Sequence, residues 1–109
     1  MNNKKAIVAF ALVSGTALLA ASAAQAQDPA KLAQEKGCLA CHQVDKKVVG
    51  PAYKDVAAKY RADKTAQAKL AKKVREGGQG VWGPVPMPPN NGVSEKDADV
   101  LVKWVLSQK

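Results

Sequence analysis

Histidine is nearly absent from this chain, with one residue in 109, and cysteine is nearly as scarce, with two. Aromatic side chains make up 5% of the residues. A structural zinc site takes four ligands, mostly Cys and His, and the chain does not hold that many. No strand-rich alternation appears, which removes the βαβ setting that a thioredoxin-like dithiol requires. No internal repeat is visible, and the longest apolar run is short for a membrane span. What is scarce is also concentrated: both cysteines and the histidine lie in one pentapeptide, Cys38-Leu39-Ala40-Cys41-His42.

A C-x-x-C-H run is the attachment signature of a c-type haem. Two thiols three positions apart can each add to one vinyl group of a single porphyrin. The imidazole that follows then lies over the iron on the same face. Cys38 and Cys41 are therefore the expected thioether carriers, and His42 an expected axial ligand. The competing readings are a redox-active dithiol and half of a zinc site, and both lack the context noted above.

The start of the chain reads as an address. Lys4 and Lys5 are basic, residues 6–21 are mostly apolar, and Ala24-Gln25-Ala26 is a small-x-small cleavage site. Together they predict a cleaved secretory signal peptide over 1–26; the rival is an uncleaved N-terminal anchor. The expected location is the periplasm, with no stable membrane insertion after cleavage. Cysteines in an oxidising compartment tend toward disulfides, but here thioethers would consume them. Residues 27–109 are left as one small domain whose side-chain core is marginal at that size. A haem adds a large apolar body to pack around. The net charge is +8, from 17 Lys and Arg against 9 Asp and Glu, and stays basic once Lys4 and Lys5 leave. For an exported haem protein this points to an acidic protein partner or an anionic membrane surface rather than nucleic acid. A monomer is expected.

Helix signals divide the domain. Asp28-Pro29 is an N-cap with proline at the first helical position, and Gly37 closes that helix. Gly50-Pro51 precedes a second helix over about 52–60, with Tyr53, Val56, Ala57 and Tyr60 on one face. Thr65 is read as the cap of a third helix, with Leu70, Ala71 and Val74 inward and Gly77-Gly78 as its stop. Ser94 caps the last helix, Asp97 takes the capping-box position, and Val93 with Ala98 forms the staple. Ala98, Leu101, Val102 and Val105 make its apolar stripe, with Trp104 beside it. The fold class is all-α.

Residues 77–93 are long for a connection without secondary structure, and such segments are usually functional or disordered. Four of the six residues from Pro84 to Pro89 are proline, which fixes φ and favours extended backbone. Met87 sits among them. Met1 leaves with the signal peptide, so Met87 is the remaining methionine. Its thioether is a soft ligand, and Met/His ligation raises the potential of c-type cytochromes. The competing role is methionine as core filler.

The segments C-L-A-C-H, V-V-G-P-A-Y-K-D-V-A-A-K-Y, G-Q-G-V-W-G-P-V-P-M-P-P-N and W-V-L-S-Q-K resemble the bacterial cytochromes c-551, a group of small class I cytochromes c. The likeness covers essentially all of 27–109. It implies a compact bundle of four to five short helices around one covalently bound haem c, with His42 proximal and Met87 distal. It implies that the Pro51 carbonyl accepts the His42 Nδ1–H, that the Trp82 indole reaches a haem propionate, and that Asn90 hydrogen-bonds the methionine sulfur. Plain alternatives are core packing for Trp82, a turn cap for Asn90 and a helix start for Pro51. Lys73 falls where some relatives place an arginine against a propionate, which puts that contact in doubt. Asn91-Gly92 looks like a small insertion that lengthens the turn after the ligand loop.

Iron with six strong-field positions filled has no open site for substrate and changes only oxidation state. The expected function is thus a soluble one-electron carrier, not an enzyme. By resemblance, electrons run from a membrane quinol-oxidising cytochrome complex to a terminal reductase, with nitrite reductase and hence denitrification foremost, or to a peroxidase or oxidase. The alternative is a five-coordinate haem protein with gas-binding or peroxidase activity, which needs Met87 off the iron. Leu39, Val48, Val49, Pro84, Val85, Pro86 and Pro88 flank the two haem-binding segments. By resemblance they form an apolar docking patch, rimmed by Lys36, Lys46 and Lys47.

Overall fold

The computed structural model describes residues 28–109, so the signal-peptide expectation lies outside the described residues. Four α-helices follow in order: α1 Pro29–Glu35, α2 Tyr53–Tyr60, α3 Ala66–Glu76 and α4 Glu95–Leu106, with a 3₁₀ turn Cys38–Ala40 between α1 and α2. No strand occurs among the described residues.

The ends of these helices follow from local chemistry. The Asp28 carboxylate accepts the Ala30 N–H at 3.0 Å, with Pro29 supplying the first turn. Gly37 adopts the left-handed conformation (φ 76°, ψ 10°) and passes the chain into the 3₁₀ turn. Ser94 Oγ accepts the Asp97 N–H at 3.1 Å, and Val93 and Ala98 are both buried beside it. The third start differs from the sequence expectation. Thr65 precedes α3 but makes no side-chain cap. The Asp63 carboxylate accepts both its N–H (2.8 Å) and its hydroxyl (2.6 Å), so the hydroxyl is drawn back to Asp63.

Helix α4 packs against α1, α2 and α3. Its Ala98, Leu101 and Val102 meet Leu32 and Ala33 of α1, Ala71 of α3, and Val93 in one buried cluster. Six of the twelve buried hydrophobics among the described residues are alanine, and Leu32, Leu101 and Tyr53 are the largest of the rest. The helices come close to one another but leave a space that side chains do not fill. The long connection 77–93 borders it, and its one bridge pairs Gly78 with Met87.

Candidate cofactor site

That space is an open cavity of about 350 Å³, within the roughly 300–1,000 Å³ of cofactor and ligand sites. Val56 of α2, Leu70 and Val74 of α3, and Leu101, Val102 and Val105 of α4 make an apolar lining. Cys38, Cys41, His42, Pro51, Trp82 and Met87 all line it too. Residues from three separate stretches of sequence are thus brought to one place.

His42 is held on several sides. Its Nδ1 lies 2.8 Å from the Pro51 carbonyl. A carbonyl only accepts, so Nδ1 carries a proton, and in the neutral ring Nε2 is the nitrogen left with its lone pair. The ring stacks on Tyr53 with centroids 5.1 Å apart and planes inclined 20°, and Tyr53 in turn meets Trp104 edge-on at 5.3 Å. The backbone returns tightly, with the Cys41 carbonyl accepting from Gly50 (2.7 Å) and Val49 (3.2 Å). A Cβ at Gly50 would run into the imidazole, so only glycine lets the chain pass so near the ring. Burial pushes the Cys38 thiol and the Tyr53 phenol up from their ordinary values. Redox-active dithiols carry a lowered thiol pKa, so the environment of Cys38 runs against that reading.

Met87 is held from another direction. Its N–H donates to the Gly78 carbonyl at 2.8 Å and its carbonyl accepts from the Gly78 N–H at 3.0 Å. Farther along the loop, Asn90 donates twice to the Val74 carbonyl, from its backbone N–H (3.2 Å) and its side-chain amide (2.9 Å). One of the two side-chain N–H groups is thereby committed to Val74, and Asn90 does not join the residues that line the cavity. Trp82 is 43% exposed, and the Lys59 ammonium stands 5.5 Å from its ring centroid. Lys73 lines the cavity and lays its side chain across Gly78, which brings a cation to the site where the sequence left a contact in doubt.

The donor set suits a haem. It offers two thiols in the attachment spacing, one imidazole with a free Nε2, a soft thioether and an apolar enclosure. Among the described residues, no cluster of three or more His, Cys, Asp or Glu side chains is placed to hold a bare metal ion. Val49, Val81, Trp82 and Val85 line the cavity and are exposed, and Leu39 and Val48, beside the histidine segment in sequence, are exposed as well. Lys46 and Lys47 are exposed. Lys36 is tied down, donating to the Gly92 carbonyl at 3.0 Å.

Sequence reasoning did not find four contributors: the close passes of Gly50 and Gly77, the stacking of Tyr53, and the Lys59–Trp82 pair. Gly50 and Gly77 stand beside residues that were singled out, as a helix start and a helix stop. Nothing local signals their second role.

The cytochrome c family model matches residues 26–109. The chain is 56% identical to cytochrome c-551 of Pseudomonas aeruginosa over 102 residues, covering 92% of this chain and 97% of that protein. The crystal structure of wild-type Nitrosomonas europaea cytochrome c552 superposes with a TM-score of 0.72 at 54% identity, covering 73% of this chain and 99% of that one. The class 1 cytochrome MtoD of Sideroxydans lithotrophicus gives a TM-score of 0.62 at 38% identity, over 73% of this chain and 91% of that one.

Proposed function

This chain belongs to the cytochrome c family as a small class I electron carrier with one covalently attached haem c, and from that premise we propose which residues hold the haem and what the carrier serves. Cys38 and Cys41 carry the two thioethers. His42 Nε2 and the Met87 sulfur are the axial ligands. One observation carries the assignment: His42, with Nδ1 committed to Pro51 and Nε2 free, lines the same apolar cavity as both cysteines and Met87.

Bound there, the haem iron supplies one-electron Fe(III)/Fe(II) chemistry. The protein supplies the surroundings. The Pro51 carbonyl fixes the imidazole and strengthens it as a donor. The valines and prolines of the lining would surround the haem with apolar side chains. Trp82 and Lys73, which both line the cavity, are the groups proposed to meet propionates, and the second Asn90 N–H is the proposed partner of the methionine sulfur.

The carrier works in the periplasm. It takes electrons from a membrane quinol-oxidising complex and passes them to a terminal reductase, nitrite reductase foremost, or to a peroxidase or oxidase. Among the described residues no helix is long and apolar enough to cross a membrane. Leu39, Val48, Val49, Val81 and Val85 form the docking face, with Lys46 and Lys47 at its rim. Transient redox encounters use small interfaces, and rim charges act mainly on association rate.

A redox titration with absorption spectra tests the ligand set. Wild type should be low-spin with the weak red band of methionine sulfur on Fe(III). Met87→Ala should keep its haem, lose that band and titrate at a much lower potential. A high-spin wild type would favour the gas-binding or peroxidase alternative, and an unchanged variant would take Met87 off the iron.

A further inference from the structure

Two glycines close helices in this molecule, and they do it differently. Gly37, after α1, sits at φ 76°, ψ 10°, the left-handed conformation that ordinarily stops a helix. Gly77, after α3, has nearly the same φ but ψ −173°. That region of backbone space is essentially reserved for glycine, and residues held in such regions cluster at functional sites. The extended ψ sends Gly78 alongside Met87, where the two backbones exchange both hydrogen bonds. A Cβ on Gly77 would collide with the Met87 carbonyl and lie 2.8 Å from Pro89 N and 3.0 Å from Pro88 C. These are backbone atoms of a proline-stiffened segment, so none can swing aside as a flexible side chain would.

From this geometry we infer that Gly77 is a positioning residue for the distal ligand. By letting the ligand loop lie directly on the end of α3, it sets where the Met87 sulfur can reach. The role differs from stopping α3, which a glycine in the conformation of Gly37 would do as well. The inference rests on Met87 being an iron ligand.

The test compares Gly77→Ala with Gly80→Ala in the holoprotein. Gly80 also has a positive φ (101°), but a Cβ there meets nothing within 4 Å. It therefore reports backbone strain in the same loop without the collision. Gly77→Ala should lose or weaken the methionine-to-iron band and lower the reduction potential, while Gly80→Ala keeps both at their wild-type values. If Gly77→Ala keeps the wild-type band and potential, even with a lower melting temperature, Gly77 only stops the helix and the inference falls. Should Gly77→Ala fail to fold, hydrogen exchange in the wild type decides. The Met87 and Gly78 amides should be protected together with those of α3, and fast exchange at both would overturn the inference. A wild type lacking the band would remove Met87 as a ligand and this inference with it. A wild type showing the band beside an indifferent Gly77→Ala would remove the inference alone.

Discussion

His42 is restrained by its own neighbourhood: the Pro51 carbonyl nine residues on, the adjacent Gly50, and the Tyr53 ring at the start of α2. Met87 is restrained by a different element, the end of α3, through Gly78 and through an Asn90–Val74 bond that spans sixteen residues. The first segment is short and carries its own anchors, including both cysteines. The second is a stiff strip that must be laid against a finished helix. Loop closure over a longer span has a larger entropic cost, and proline lessens it by narrowing what the free loop can do. The proline run and the α3 seat are therefore two parts of one solution. The His42 segment needs no such run.

The severest way to break this contrast is to remove the covalent anchors. Cys38→Ala with Cys41→Ala should abolish attached haem and leave a largely unfolded chain, because the remaining core is small. Circular dichroism and thermal melting would show it, and a helical, cooperatively melting apoprotein would mean that the helices hold without the cofactor. Next comes Gly50→Ala. The new methyl meets the His42 ring, and overpacking of this kind costs about 1–3 kcal/mol. Denaturant unfolding should show that loss, together with a changed spectrum as the imidazole is displaced; full stability would mean that the ring has room to move.

Asn90→Ala sharpens the other side. Losing the side-chain bond to Val74 should cost roughly 1 kcal/mol, or a fall in melting temperature of about 4–8 °C for a domain this size. A fall much below that would show that the backbone bridge at Gly78 holds the loop unaided. The smallest effect belongs to neither segment. Asp63 lies between α2 and α3, and its hydrogen bonds from Lys69 and Thr65 hold its carboxyl down from 3.8 to about 2. A depressed carboxylate stabilises above its ordinary pKa, and that contribution fades as pH falls toward about 2. Asp63→Asn should thus be slightly less stable than wild type at neutral pH, less so in high salt, with the difference closing in acid. A difference that persists unchanged at pH 2 would refute the charge-based account.

The features legible in the sequence were those written in neighbouring residues. The pentapeptide, the Asp28 and Ser94 caps and the Val93–Ala98 staple depend on spacings of a few positions, and the structure places them as read. Where two local signals compete the sequence misleads: Thr65 reads as the cap, but Asp63 two residues earlier captures its hydroxyl. The seats of His42 and Met87 lie beyond what the sequence shows. Gly77 reads correctly as the end of α3, but its contact with Met87 exists only once the loop has returned. The Tyr53 stripe was visible as an apolar face, yet that its ring lies flat on His42 depends on how the chain turns between them. Local patterns announce elements and candidate ligands, whereas close approaches between distant stretches appear only in three dimensions.

The alanine-rich interior has a consequence for the life of the polypeptide. With alanine making half of the buried hydrophobics among the described residues, a chain that misses its cofactor should have only a small core to shelter its peptide bonds. Cleavage by proteases follows the population of open chains when opening is fast, so unloaded chains should be cleared faster than loaded ones.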